Sequence, residues 1–239
     1  MSSRHPRSHR HGPPEERRKR THDALKEAAL DLLDGERSFT SLSLREVTRA
    51  AGVVPAAFYR HYEGMEALGL DLVADSFETL QVVMREARAM PLPRRNMIRR
   101  SVETYIHYVR DHRKHFQFIA KERFSGSSSL RHAIRNEIRL FVSDLATDLA
   151  LLLPKRDLRP DDLRMMAGLI VGTMENATDE VLDLPPGEAR VEEELIVRYE
   201  QQLRLIFLGI GVWSSRRPSS QGPQAGPSGT IAAPVPPRE

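Results

Sequence analysis

Ser43, Glu46, Gly52 and Pro55 punctuate residues 40–68, TSLSLREVTRAAGVVPAAFYRHYEGMEAL, so tightly that two short helices joined by a sharp turn are the economical solution. Ser43 can N-cap a helix while Glu46, three residues on, reaches back to the exposed backbone N–H, the capping-box arrangement. Leu44, Val47 and Ala51 then fall on one helical face, and Gly52 supplies the left-handed conformation that ends the helix within one residue. Pro55 opens the second helix where a missing N–H costs nothing. Phe58 and Tyr62, four apart, turn inward with Val53. Pro55, Ala56, Ala57, Tyr59, Arg60 and His61 face outward.

That outward face combines small residues, which let a backbone approach a groove, with side chains that donate to phosphates or base edges, as a recognition helix requires. A surface helix whose aromatics cover a core is the plainer reading, and the spacing of the turn argues against it. Leu44-Arg45-Glu46-Val47, Ala51-Gly52-Val53 and Phe58-Tyr59-Arg60-His61-Tyr62 resemble the helix-turn-helix signature of the TetR family of one-component transcriptional regulators. The resemblance covers residues 17 to 72. It implies Ser43, Arg45, Pro55, Ala56, Ala57, Tyr59, Arg60 and His61 as the residues that meet double-stranded operator DNA. Two positions depart from the family pattern. Met65 stands where many members have a phosphate-contacting Lys, and Val54 where they have a Ser or Thr cap.

The chain has 239 residues, no cysteine, 40% hydrophobic and 29% charged residues, so a disulfide framework is impossible and one large or two modest domains are expected. No apolar run is long enough to span a bilayer, and the basic N-terminus is not followed by the apolar stretch of a signal peptide, which makes the cytoplasm the expected location and membrane insertion unexpected. The net charge is only +3, yet Arg4, Arg7, Arg10, Arg17, Arg18, Lys19 and Arg20 gather it at one end. A basic arm leading into a DNA-reading unit is placed to add phosphate contacts.

Residues 1–14 and 214–239 are low-complexity ends that cannot bury enough surface to order themselves. Between them the periodicity is helical throughout, as in Leu25, Ala28, Ala29, Leu32 and Leu33. The expected fold is all-α. Its DNA-binding domain spans 15–64 and a ligand-binding and dimerisation domain spans 65–213. A connecting helix should run over 65–89, stopped by Pro91 and Pro93, with further helices over 94–111, 113–124, 128–153, 161–183 and 189–213. With the helices of the first domain this gives the nine that the TetR resemblance implies. Met166, Ile170, Met174, Leu195, Tyr199, Leu203, Ile206 and Phe207 form stripes on the last two helices, and Gly168 and Gly172 would permit close helix approach. The residues alone do not decide whether these stripes pack within one subunit or between two; the resemblance implies a homodimer through the last two helices.

Aromatic and methionine side chains are dense from 94 to 174, and an effector cavity would use Tyr105, Tyr108, Phe118, Phe124, Met165, Met166, Leu169 and Met174. An ordinary helical core has the same composition; the resemblance implies a cavity for a hydrophobic small-molecule effector. The segments 58–62, 65–70 and 76–80, with Lys121-Glu122-Arg123 preceding Gly126, Ser127 and Arg131, are similar to the FabR/DesT branch. That branch represses unsaturated fatty-acid synthesis genes and implies a long-chain acyl-CoA or related acyl thioester as effector. Arg113, Lys114, Lys121, Arg123, Arg131 and Arg135 would then supply cations for its phosphates. Rival readings are a TetR-type repressor of an efflux or catabolic operon, and a helical lipid carrier that leaves the capped helix-turn-helix unexplained. No enzyme is expected, because the chain lacks a phosphate-cradling glycine loop, a nucleophile elbow and a Cys nucleophile, and His107, His112 and His115 lack carboxylate or Cys partners at metal-ligand spacing. No cofactor is expected either.

Overall fold

The computed structural model describes residues 14–33, 37–89, 94–125, 127–153, 158–185 and 187–213. Among them are nine α-helices and one 3-10 turn, and no strand. The expected arm and tail, apart from the start of the first helix, lie outside the described residues. The helices are α1 (Pro14–Asp31), α2 (Leu44–Ala50), α3 (Pro55–Phe58), α4 (Met65–Ala89), α5 (Arg94–Asp111), α6 (Arg113–Ser125), α7 (Ser128–Leu152), α8 (Pro160–Asp183) and α9 (Ala189–Val212), with the 3-10 turn at Phe39–Ser41 between α1 and α2. Several boundaries have a local cause. Ser127 caps α7 by accepting from Leu130 N–H at 3.2 Å, and Pro160 opens α8 with Asp161 and Asp162 in its first turn, where carboxylates oppose the helix dipole.

Two hydrophobic clusters organise the chain. The first joins Leu25 and Ala29 of α1, Phe39, Val47, Phe58 and Tyr62 to Leu68, Leu72 and Val73 of α4, Phe118 of α6, and Leu130 and Ile134 of α7. Leu25, Val47 and Phe58 are completely buried, and burying such side chains contributes about 1.5–3 kcal/mol each for the larger ones. The second cluster is formed by α5, α8 and α9 with the distal half of α4 and the end of α7. α4 therefore belongs to both, its first turns completing the head and its last turns walling the body. The expected boundary at 64/65 falls inside the packing of the first cluster.

The stripes on α8 and α9 lie differently from one simple reading of their periodicity. Met166, Ile170, Met174, Leu195, Tyr199 and Leu203 are buried within the chain's own core, and Ile206 and Phe207 pack against it. The apolar side chains left exposed are Met165 and Leu169 on α8, and Val197, Leu205, Leu208 and Val212 on α9. Their α9 spacing of eight, eleven and fifteen residues from Val197 traces one helical face. A Cβ added at Gly168, Gly172 or Gly209 would meet nothing within 4 Å.

Candidate functional site

The head is set by hydrogen bonds within a few residues. Ser43 N–H donates to Glu46 Oε2 at 2.9 Å, while Glu46 N–H donates to Ser43 Oγ at 3.3 Å, closing both halves of the capping box. Arg37 adds an ion pair to Glu46 at 3.1 Å. The hydrogen bonds from Ser43, followed by the one from Arg37, hold the Glu46 carboxyl down at about 2. Gly52 adopts φ 67°, the left-handed conformation the turn requires. α3 starts at Pro55 without a side-chain cap from Val54. It is only one turn long, but His61 and Tyr62 N–H both donate to Phe58 O, at 2.9 and 3.0 Å, so the coil continues past its end. Tyr62 OH donates to Asp71 Oδ2 at 2.7 Å and thereby ties the head to α4.

Arg45, Pro55, Ala56, Tyr59 and Arg60 are exposed on the outer surface of this unit, and Ala57 and His61 are half-buried. Ser43 is exposed too, but its hydroxyl is occupied: it donates to Glu46 Oε2 at 2.8 Å as well as accepting the cap bond. His61 lies 5.9 Å from His22, ring to ring. Burial, then the neighbouring charges of His22, Arg18 and Arg60, push its pKa down, so near neutral pH it is an uncharged donor and acceptor. Of the residues expected to meet DNA, Arg45 and Arg60 are the ones that carry a permanent charge.

In the body, α4 to α8 enclose an apolar cavity with an empty volume of about 1100 Å³, its mouth included. Phe77, Leu80, Met84 and Arg88 line it from α4, Met97, Ile98, Ser101 and Tyr105 from α5, and Phe116, Ile119, Ala120 and Arg123 from α6. Ile138, Phe141, Leu145, Leu149 and Leu152 form a continuous stripe from α7, and Ile170, Val171, Met174, Glu175, Thr178 and Asp179 contribute from α8, with Phe207 from α9. Tyr105 and Thr178 hydroxyls are 2.6 Å apart. Because Thr178 donates to Met174 O, it accepts from Tyr105, whose pKa burial pushes up to about 12. Arg123 approaches Glu175 only to 3.7 Å, and burial raises the Glu175 pKa against the pull of Arg123.

Of the eight side chains expected at an effector site, Tyr105 and Met174 stand in this wall. The other six stand elsewhere. Phe118 is buried in the head cluster, Tyr108 and Met166 are buried in the body core, and Phe124, Met165 and Leu169 face outward. Phe124 sits under the Arg123 guanidinium, 4.6 Å from its ring centroid. The wall residues missed from sequence include the stripe Phe77, Leu80, Met84 and Arg88, whose spacing of three, seven and eleven was the available signal. Among the six expected cations, only Arg123 lines the cavity. Arg113 donates to the carbonyls of Val181, Leu182 and Leu184, Lys114 pairs with Glu27 and Asp31, and Lys121 donates to Leu33 O.

The three histidines considered for a metal have other contacts. His107 meets Glu192 at 3.2 Å, His112 stacks on Tyr108 at 4.0 Å, and His115 lies 3.8 Å from Asp75. Among the described residues no group of three or more His, Cys, Asp or Glu is placed to hold a metal, and no helix is long and apolar enough to cross a membrane.

Solved structures share this fold at low sequence identity. The fatty acid degradation regulator FadR from Bacillus halodurans is 15% identical, with a TM-score of 0.64 over 84% of this chain and 98% of its own. A transcriptional regulator from Aquifex aeolicus is 16% identical, with a TM-score of 0.61 over 78% and 99%. A TetR-like transcriptional regulator from Rhodococcus sp. RHA1 is 17% identical, with a TM-score of 0.60 over 85% and 100%. Residues 26–72 match the model of bacterial regulatory proteins of the tetR family, and residues 94–209 match that of the tetracyclin repressor-like C-terminal domain. With both halves of the regulator matched and the helix-turn-helix in place, the chain belongs to the TetR family of transcriptional regulators.

Proposed function

We propose that this TetR regulator is a cytoplasmic homodimeric repressor that seats paired α2–α3 units in successive major grooves of a palindromic operator and answers to a long-chain acyl thioester, acyl-CoA above all. The observation that carries the effector class is the cavity wall. It is apolar along most of its length, with a loosely paired cation, Arg123, at one place on it. A hydrocarbon tail gains about 0.8 kcal/mol for each methylene it takes out of water into such a wall, and a guanidinium is the side chain suited to the phosphates of coenzyme A. The likeness to Bacillus halodurans FadR supports a link to fatty-acid metabolism, and the segments similar to the FabR/DesT branch favour control of synthesis or desaturation genes.

The dimer uses the exposed apolar face of α8 and α9, and the basic residues before α1 add sequence-independent affinity. Effector binding alters the separation of the two heads by no more than its differential affinity for the two conformations allows. The direct test is an operator gel shift titrated with matched saturated, unsaturated and short-chain acyl-CoA and with free CoA. Long tails should change operator affinity where short-chain and tail-less compounds do not. An identical response to all four would remove the acyl reading and return the cavity to another hydrophobic compound, such as one handled by an efflux or catabolic operon.

A further inference from the structure

Helix α6 turns opposite faces to the cavity and to the head. Phe116, Ile119, Ala120 and Arg123 stand in the cavity wall, whereas Phe118, Lys121 and Glu122 point the other way. Phe118 meets the Phe39 ring edge-on at 5.6 Å. Lys121 Nζ donates to Leu33 O at 2.9 Å, and Glu122 Oε1 accepts from Phe39 N–H at 2.8 Å. These two neighbours thus grip both ends of the connection between α1 and the 3-10 turn that leads into α2. α4 passes against the same point: a Cβ on Gly69 would lie 2.7 Å from Phe39 Cε1.

Glu122 is 0% exposed, and its Oε2 has no hydrogen-bond partner among the described residues. A buried carboxylate satisfied at one oxygen is a costly way to attach a loop, since an apolar side chain of similar size would avoid the desolvation. A contact that is to be made and broken has a different requirement. A partly satisfied polar group lies closer in free energy to a rearranged state than a filled apolar joint does, and switching elements depend on such small gaps. We infer that Glu122 is the positioning residue that couples cavity to head: displacement of α6 by an occupant changes the hold of its carboxylate on Phe39 N–H, and with it the placement of α2 and α3. The inference rests on the reading of the cavity as the effector site, but not on the effector being an acyl thioester.

The test uses the full-length chain and an operator duplex selected in vitro from random DNA. Ala120→Phe serves as a built-in occupant, placing a ring in the cavity without touching the head. Ala120→Phe should shift operator affinity by about fivefold or more, within the usual range of coupling between sites. In a Glu122→Gln background the same substitution should shift it by less than about twofold, as the double-mutant cycle for broken coupling requires. Glu122→Gln alone should bind operator within about threefold of wild type, a difference of under 1 kcal/mol. Amide exchange at Phe39 gives a readout that leaves Glu122 unaltered: it should quicken in Ala120→Phe while that at Val47 does not.

Equal shifts in the two backgrounds, no shift in either, an unchanged Phe39 exchange rate, or a folded Glu122→Gln protein that no longer binds operator would each overturn the inference. Oleoyl-CoA is the second probe. If Ala120→Phe acts and oleoyl-CoA does not, the acyl reading fails and the coupling stands. If oleoyl-CoA acts equally on wild type and Glu122→Gln, the coupling fails and the acyl reading stands.

Discussion

Two surfaces of this molecule stay open when the chain has finished folding, and they differ in kind. The outer face of α2–α3 offers Arg45, Tyr59 and Arg60 beside the small Pro55 and Ala56, all of which water solvates or tolerates well. The outer face of α8–α9 offers Leu205 at 68%, Leu208 at 69% and Val212 at 87% exposure, a run that water does not favour. The first can remain exposed indefinitely and still engage a polyanion when one arrives. The second gains from being covered at once, which suits it to the permanent interface proposed above and the head to a reversible one. The repressor needs both properties together, because two heads read one operator only if something holds them at fixed spacing.

The strongest way to break this contrast is to give the apolar face the character of the polar one. Leu205→Asp with Leu208→Asp should leave the helical fold intact, since neither side chain is part of the buried core. Both subunits carry the change, so four leucines leave the interface at about 2 kcal/mol each, which weakens self-association by on the order of a millionfold. Sedimentation velocity should find a folded monomer, and operator binding should collapse with the dimer. A variant that still sediments as a dimer would move the interface to another face.

The same two surfaces explain what could be read before the fold was known. The head was legible because its determinants are local chemistry: Ser43 and Glu46 bond to each other, Gly52 takes the φ that only glycine takes freely, and Pro55 stands where a helix can begin. Helix ends in the body were legible to within a residue for a similar reason, Pro160 being one example. The phase of α8 was not. Met165, Met166, Leu169, Ile170 and Met174 are apolar on more than one side, and neighbours along a helix differ by about 100° in direction. Composition groups Met165, Met166 and Leu169 with the cavity, yet Met166 is buried in the core outside its wall and Met165 and Leu169 are exposed. Only the packing of α7 and α9 decides which direction is inward, and periodicity in α8 alone contains no such information. The role of Glu122 is not legible for a related reason: although Lys121-Glu122-Arg123 carries part of the family resemblance, a Glu between two cations reads as a solvated charge until Phe39 is seen to donate to it.

On the polar surface the sharper question is which exposed group reads sequence and which only positions the chain. Arg45→Ala should cost about 1–3 kcal/mol, concentrated at one operator base pair, as the loss of a bidentate arginine contact does. Tyr59→Phe should weaken all operator variants alike and by less. Binding isotherms over single-base variants separate the two patterns. Wild-type affinity in Arg45→Ala would show that the polar surface meets DNA through α3 alone.

The smallest effect probes the frame behind that surface rather than the surface itself. Ser43→Ala removes the cap and should destabilise the chain by about 1 kcal/mol near neutral pH. Its pH dependence has a defined sign. The Glu46 carboxyl is held down at about 2, from an ordinary 4.5, first by the Ser43 backbone N–H, which Ser43→Ala keeps, and next by the Ser43 hydroxyl, whose share alone the variant removes. A group depressed in this way adds stability that is fully present above its unfolded pKa and is lost as the pH falls through the folded one. The wild-type advantage over Ser43→Ala should therefore be constant above about pH 5 and shrink between about pH 4.5 and 2. Urea unfolding of both proteins across that interval measures it. Sequence preference on DNA should not change, because Ser43 shapes the helix that carries Arg45 and its own hydroxyl is already engaged with Glu46. If the advantage persisted undiminished at low pH, the cap would depend on the serine alone, and the ionised Glu46 would be a solvated charge like those on the rest of the head.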